Sequence, residues 1–118
     1  MPTKRLEVEC RAGSREGLQV VELRGALTME SVFLFSDALR ETTSAATIVD
    51  MSQVEHVDSV GIGAIVIGHV SHERAGRKLV LAGVPARVSQ LLKIAGLSPV
   101  FTIFDSVEAA EGFLPTRS

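Results

Sequence analysis

The chain has 118 residues, a length that suits one domain with a single core. Its 46% hydrophobic content supplies that core without a metal, and its one cysteine excludes an internal disulfide. A formal net charge of −2 leaves no basic surplus, so we expect no nucleic-acid partner. The longest apolar stretch, residues 60–68, is far shorter than the roughly 20 residues of a membrane-spanning helix. We therefore expect a cytoplasmic protein without direct membrane insertion.

The first third of the sequence predicts a hairpin followed by a helix. Apolar and polar residues alternate over residues 6–10, as in a half-buried strand, and this alternation predicts that the side chain of Cys10 faces inward. A glycine-containing turn and a second strand over residues 18–24 complete the hairpin. Thr28 is predicted to cap the helix that follows, which ends near Glu41.

The remainder of the chain alternates strands with helices. The predicted strands cover residues 46–51, 79–82 and 101–104, and the predicted helices cover residues 59–75, 85–96 and 106–113. A loop is predicted between residues 52 and 57. This order predicts a single α/β domain over residues 1–118, with a mixed sheet, about four helices and a frayed tail at residues 115–118.

The motifs of common enzymes are absent or incomplete. The sequence has no Gly-Lys-Ser/Thr phosphate-binding loop and no Gly-x-Ser-x-Gly hydrolase motif. Gly61 and Gly63 begin a helix after a strand, but the third glycine of a dinucleotide-binding fingerprint would fall at Val66. His69 and His72 lack the further ligands that zinc requires. We therefore expect no cofactor, no metal and no catalysis, and an enzyme or small-ligand domain is the least favoured alternative.

The segment from Asp50 to Gly63 is the most informative part of the sequence. A strand leads through a loop into Asp58 and Ser59 at the predicted start of a helix. Asp58 on its own is typical of a helix cap. However, Gly61 and Gly63 each weaken a helix by about 1 kcal/mol, which is understandable if another backbone must approach closely there.

The helix after Ser59 is predicted to present apolar side chains outward. This interpretation takes the polar residues His69 and His72 as markers of the solvent side. The outward residues are then Ile62, Ile65 and Val66, and the inward ones are Val60, Ala64, Ile67 and Ser71. An exposed apolar surface beside Ser59 favours protein binding, and the alternative is that a neighbouring loop covers it.

The run from Asp50 to Gly63 resembles the signature of STAS domains, especially those of bacterial anti-sigma-factor antagonists. Residues 25–28, 79–84 and 91–97 also resemble segments of that family. The resemblance implies that the anti-sigma factor, a serine kinase, phosphorylates Ser59, and that the unphosphorylated protein binds this kinase and frees a sigma factor. Together, this resemblance and the outward face of the helix predict these residues for partner binding: Thr28, Asp58, Val60, Gly61, Ile62, Gly63, Val66 and His69.

Two positions depart from the family pattern. Thr28 stands where the family usually carries aspartate, and Val60 stands where it usually carries a second serine. The second change leaves the acceptor Ser59 in place. The alternative within the same fold is a constitutive STAS adaptor, such as a stressosome component or a cytoplasmic subunit of a lipid or anion transporter, in which Ser59 is not modified.

Overall fold

A computed structural model describes residues 5–114, which form one five-stranded sheet and four α-helices. The strands are β1 (Glu7–Ala12), β2 (Leu18–Leu27), β3 (Ala46–Val57), β4 (Lys78–Ala82) and β5 (Ile103–Phe104). The helices are α1 (Val32–Glu41), α2 (Ser59–Arg74), α3 (Ala86–Ile94) and α4 (Val107–Phe113), with a short 3-10 helix at Ser98–Val100. None of these helices combines the length and apolar character needed to cross a membrane.

The strands lie in the order β1-β2-β3-β4-β5, with β1 antiparallel to β2 and the other neighbouring pairs parallel. The prediction of an α/β domain with a mixed sheet and about four helices is therefore confirmed. The predicted fraying of residues 115–118 lies outside the described residues.

The two faces of the sheet bury two separate apolar clusters. Val21 and Val49 belong to the larger cluster, which includes residues of α1, α2 and α3, whereas their neighbours Val20 and Ile48 belong to the smaller cluster with α4. This division follows from the alternation of side chains along a strand. The first half of β3 is buried on both faces, as its continuous apolar sequence predicts.

Strands β2 and β3 are longer than the sequence predicts. Gly25 does not end β2, because the chain passes through it with a φ of 100°, which glycine adopts freely, and continues to Leu27. The predicted loop over residues 52–57 is instead the second half of β3, which pairs with the end of β2 after shifts in register. Pairing with β4 ends at Asp50, so among the five described strands this second half pairs with β2 alone.

The start of α1 also differs from the prediction, because Thr28 does not cap this helix. The Ser31 hydroxyl accepts a hydrogen bond from the Thr28 amide at 3.0 Å and donates one to the Ala26 carbonyl at 2.7 Å. The amides of Ser31 and Val32 both donate to the Thr28 carbonyl. Residues 28–31 therefore form a separate turn, and α1 begins after it.

The prediction that Cys10 faces inward is wrong. Leu6 is buried and Val8 packs against the larger cluster, but Cys10 is exposed on the edge strand β1. Of the three alternating apolar residues in this segment, the first two therefore contact the core and Cys10 does not.

Candidate functional site

The ends of β2 and β3 bring two separate parts of the chain together. Leu27 and Val57 are register partners at the end of this strand pair, so Thr28 and Asp58 leave the sheet side by side. The Asp58 amide donates a hydrogen bond to the Leu27 carbonyl at 3.3 Å. Residues 28–31 and 58–63 therefore form one surface, which we call the junction.

Asp58 holds the two halves of the junction together. One of its carboxylate oxygens accepts a hydrogen bond from the Met29 amide at 3.0 Å, and the other accepts one from the Gly61 amide at 2.8 Å. These bonds stabilise the ionised carboxylate, and they hold the pKa of Asp58 below its usual value. The interpretation of Asp58 as the cap of α2 is confirmed, and the same side chain also fixes the turn before α1.

Ser59 is the first residue of α2, and it is exposed. Its neighbour Val60 has 42% of its surface exposed, and Met29 in the adjoining turn has 68% exposed. The junction therefore exposes a hydroxyl group together with two apolar side chains and an ionised carboxylate. Met29 was not among the predicted contact residues, although it directly follows Thr28 in the sequence.

The two glycines of the junction have different structural roles. A Cβ atom at Gly61 would lie 2.3 Å from the Leu27 carbonyl oxygen and 2.9 Å from a methyl carbon of Val57. The expected close approach is therefore real at Gly61, where α2 meets the end of β2. A Cβ atom at Gly63 would have no neighbour within 4 Å in the described part of the chain, so the space beside this glycine is open.

The exposed face of α2 is not the predicted one. Ile65, expected to face outward, is fully buried, and Ile62 and Val66 are half-buried against the larger cluster. Ile67 was expected to face inward, but 68% of its surface is exposed. Ser71 is also exposed, and Ala64 packs against the core as expected. The exposed apolar residues of α2 are Val60, Ile67 and Val70, and with Gly63 between them they form what we call the α2 stripe.

The two histidines explain this error, because neither marks the solvent side. His72 is buried with its Nδ1 atom 3.0 Å from the Gly68 carbonyl and its Nε2 atom 3.2 Å from the Thr42 hydroxyl. Burial lowers the pKa of His72. The side chain of His69 is only 13% exposed and packs edge-on against Phe101, with ring centroids 5.3 Å apart. His69, predicted as a contact residue, therefore offers a partner little surface.

The predicted site residues consequently divide into two groups. The residues that meet at the junction are Thr28, Asp58, Ser59, Val60, Gly61 and Gly63. The side chains that turn toward the core are those of Val66, His69 and Ile62, although Ile62 lies within the junction by its position in the chain.

The fold and the junction define a small α/β domain that presents a serine at the start of a helix. Residues 10–110 match the family model of the STAS domain. The chain therefore belongs to the STAS domain family, and the resemblance found in the sequence is confirmed.

Solved structures with the same fold include both an anti-sigma factor antagonist and a protein of the sulfate transporter family. An anti-sigma factor antagonist from Mycobacterium paratuberculosis is 20% identical, with 91% of this chain and 92% of that chain covered and a TM-score of 0.74. A sulfate transporter family protein from Wolinella succinogenes is 25% identical, with 82% and 84% covered and a TM-score of 0.69. The Bacillus cell fate determinant SpoIIAA in its phosphorylated form is 17% identical, with 92% and 99% covered and a TM-score of 0.66.

Proposed function

We propose that this domain is a non-catalytic anti-sigma-factor antagonist of the bacterial cytoplasm. It binds an anti-sigma factor that is also a serine kinase, and phosphorylation of Ser59 by this kinase ends the binding. The observation that carries the proposal is the exposed position of Ser59 at the first residue of α2, in a junction that also exposes Val60 and Met29. A kinase can reach this hydroxyl without unfolding the domain.

The charge of a phosphate explains how such a switch would work. Phosphorylation adds about −1.5 to −2 charges at pH 7. In a complex, this charge would have to lose water between apolar side chains and beside the ionised Asp58. An uncompensated buried charge costs about 3–5 kcal/mol, which lowers affinity by roughly 10²- to 10⁴-fold. Ser59 lies outside the core, so the domain itself would stay folded.

The partner surface that we propose is centred on the junction and continues along the α2 stripe. Val60, Gly63, Ile67 and Val70 are spaced by three or four residues, which places them on one side of the helix. The open space at Gly63 allows a partner to approach the helix backbone closely. Ile62, Val66 and His69 then support this surface from beneath or from its edge, because little of them is accessible.

The test is intact-mass measurement after incubation with the cognate kinase and ATP. The wild-type protein is expected to gain one phosphate, and Ser59→Ala is expected to gain none. Ser71→Ala is the matched control, because Ser71 is an exposed serine near the other end of the same helix. Equal labelling of wild type and Ser59→Ala would overturn the assignment of Ser59.

A constitutive adaptor is the second candidate, and one feature of the junction favours it. Thr28 supplies no carboxylate where the family usually has aspartate, so the junction carries one negative charge fewer beside Ser59. The sulfate transporter family protein from Wolinella succinogenes has the same fold. Affinity purification that recovers transporter components and no serine kinase would favour this function.

A further inference from the structure

A groove between α1 and α2 lies beyond the junction, along residues 64–72 of α2. Its volume is about 310 Å³. The apolar part of its lining comes from Leu39, Ala64 and Ile67, and the polar part includes Arg40, Ser71 and Arg77. The two helices touch at Gly68, where a Cβ atom would lie 2.5 Å from a methyl carbon of Leu39. The groove opens beside this contact.

Arg77 is the unusual residue of the groove. It is half-buried, and one of its terminal nitrogens donates a hydrogen bond to the Thr42 carbonyl at 2.7 Å. Its Nε atom is buried without a hydrogen-bond partner among residues 5–114. No carboxylate within that range lies within 4.0 Å of this guanidinium, whereas Arg11 and Arg40 each have one and Arg24 has three. A half-buried charge without a counter-ion is unfavourable unless something else compensates it.

The rest of the groove favours an anion as that compensation. Among residues 5–114 no acidic side chain lines it, and the exposed Arg40, which also pairs with Asp37, adds a second guanidinium at the rim. The hydroxyl groups of Ser36 and Ser71 are further hydrogen-bond donors. His72 also lines the groove, but its two ring nitrogens lie against Gly68 and Thr42.

We propose that this α1–α2 groove binds a small organic anion, in which a carboxylate or phosphate group is joined to a short apolar body. The anionic group pairs with Arg77, because a guanidinium can donate two parallel hydrogen bonds to such a group. The apolar body covers Leu39, Ala64 and Ile67. The volume is at the lower end of the roughly 300–1,000 Å³ typical of small-molecule sites, so the ligand must be small. Because Ile67 also belongs to the α2 stripe, a bound anion would lie next to the proposed partner surface.

The test is an NMR titration of the full chain with hexanoate, with n-butyl phosphate and with the uncharged analogue 1-hexanol. We expect saturable shifts of amides around Leu39, Gly68 and Arg77 with at least one of the two anions and not with hexanol. The stronger anion identifies the preferred head group. If neither anion gives saturable shifts, or if hexanol gives the same shifts, the proposal is wrong.

Variants then show whether Arg77 carries the binding. Arg77→Gln should weaken binding of the preferred anion by about tenfold or more, as expected for the loss of a charge-assisted hydrogen bond. Arg74→Gln is the matched control, because Arg74 is an exposed arginine at the end of α2 outside the groove lining. If Arg77→Gln fails to fold, Arg40→Gln at the exposed rim provides the test and should also weaken binding. If Arg77→Gln folds and binds the anion as tightly as wild type, the proposal is wrong. If Arg77→Gln does not fold, unchanged affinity in Arg40→Gln would refute the proposal.

Discussion

A single methyl group at Gly61 is expected to disrupt the contact between α2 and the end of β2. In Gly61→Ala the new Cβ atom would lie 2.3 Å from the Leu27 carbonyl oxygen, which is a backbone atom of a paired strand. This carbonyl also accepts the Asp58 amide, so neither side of the contact can yield without moving the junction. Alanine favours a helix over glycine by about 1 kcal/mol. Overpacking of this kind typically costs about 1–3 kcal/mol and occasionally more.

In Gly61→Ala the new contact is with backbone, so we expect the overpacking cost to be about 3 kcal/mol, the upper end of its range of about 1–3 kcal/mol. The helix preference of alanine offsets about 1 kcal/mol of this cost, so the free energy of unfolding should fall by about 2 kcal/mol. Gly63→Ala is the matched control, because its Cβ atom would meet nothing within 4 Å. That variant gains only the helix preference and should be more stable than wild type by about 0.5–1 kcal/mol. The same substitution, made two positions apart, should thus have opposite effects.

Urea unfolding followed by circular dichroism measures both free energies. The slope of the unfolding free energy against urea should be unchanged in both variants, so that the midpoints report stability directly. If Gly61→Ala is as stable as Gly63→Ala, α2 does not approach β2 as described. In that case the geometry inferred for Ser59 and Asp58 would be wrong as well.

Three further predictions concern the buried His72, the α2 stripe, and the Asp58 carboxylate that links Met29 to Gly61, which we call the clamp. Because burial lowers the pKa of His72, the unfolded chain binds a proton at this residue more readily than the folded protein does. The free energy of unfolding should therefore fall by at most about 1.4 kcal/mol per pH unit as the pH drops below the usual pKa of histidine. Thermal unfolding should show this pH dependence in wild type and in His56→Gln, but not in His72→Gln. Asp58→Ala should cost about 0.5–2 kcal/mol as a lost cap. In urea unfolding this loss should exceed that of Ser106→Ala, because the Ser106 side chain accepts a hydrogen bond only from the Ala109 amide of its own helix, as far as the described residues show. Equal losses would contradict the stabilising role of the hydrogen bond from Met29 to Asp58. Ile67→Glu should weaken binding of the proposed kinase, measured by calorimetry, without affecting the fold. Ile94→Glu is the control and should leave this binding unchanged, because Ile94 is 77% exposed on α3, outside the α2 stripe. Equal effects of the two variants would place the partner elsewhere.

The order of the elements could be predicted because local signals mark their ends. Asp58 caps α2 and Ser106 caps α4, as their residue types favour. Gly76 follows α2 with a φ of 74°, a conformation in which glycine commonly ends helices. The buried first half of β3 is apolar throughout, which is typical of a strand covered on both faces. Each of these signals lies within a few residues of the feature that it determines.

The orientation of α2 could not be predicted in the same way. The helix is apolar on almost every side over residues 60–70, so its periodicity does not distinguish the buried face. Contacts with distant parts of the chain decide its rotation, because Gly61 meets Leu27 and Gly68 meets Leu39. The useful signal was the spacing of these two glycines by seven residues, which places them on one side of a helix.

The second half of β3 was missed for a related reason. Its exposed residues Ser52, Gln53, Glu55 and His56 interrupt the apolar pattern. Val54 and Val57 are nevertheless buried, and the shifted register with β2 accommodates the irregular spacing. Pairing with a neighbouring strand, rather than local preference, keeps this segment extended.

The geometry of Asp58 restricts how a phosphate on Ser59 could act. The first turn of a helix can bind an anion through its free amides. Here the Asp58 carboxylate already accepts the Gly61 amide, and its other oxygen accepts the Met29 amide. A phosphate that took over the Gly61 amide would have to displace a carboxylate that also fixes the turn before α1. A phosphate that leaves this clamp intact stays at the surface, where its charge acts directly on a bound partner. The clamp therefore favours a switch that works through surface charge over one that works by reshaping the domain.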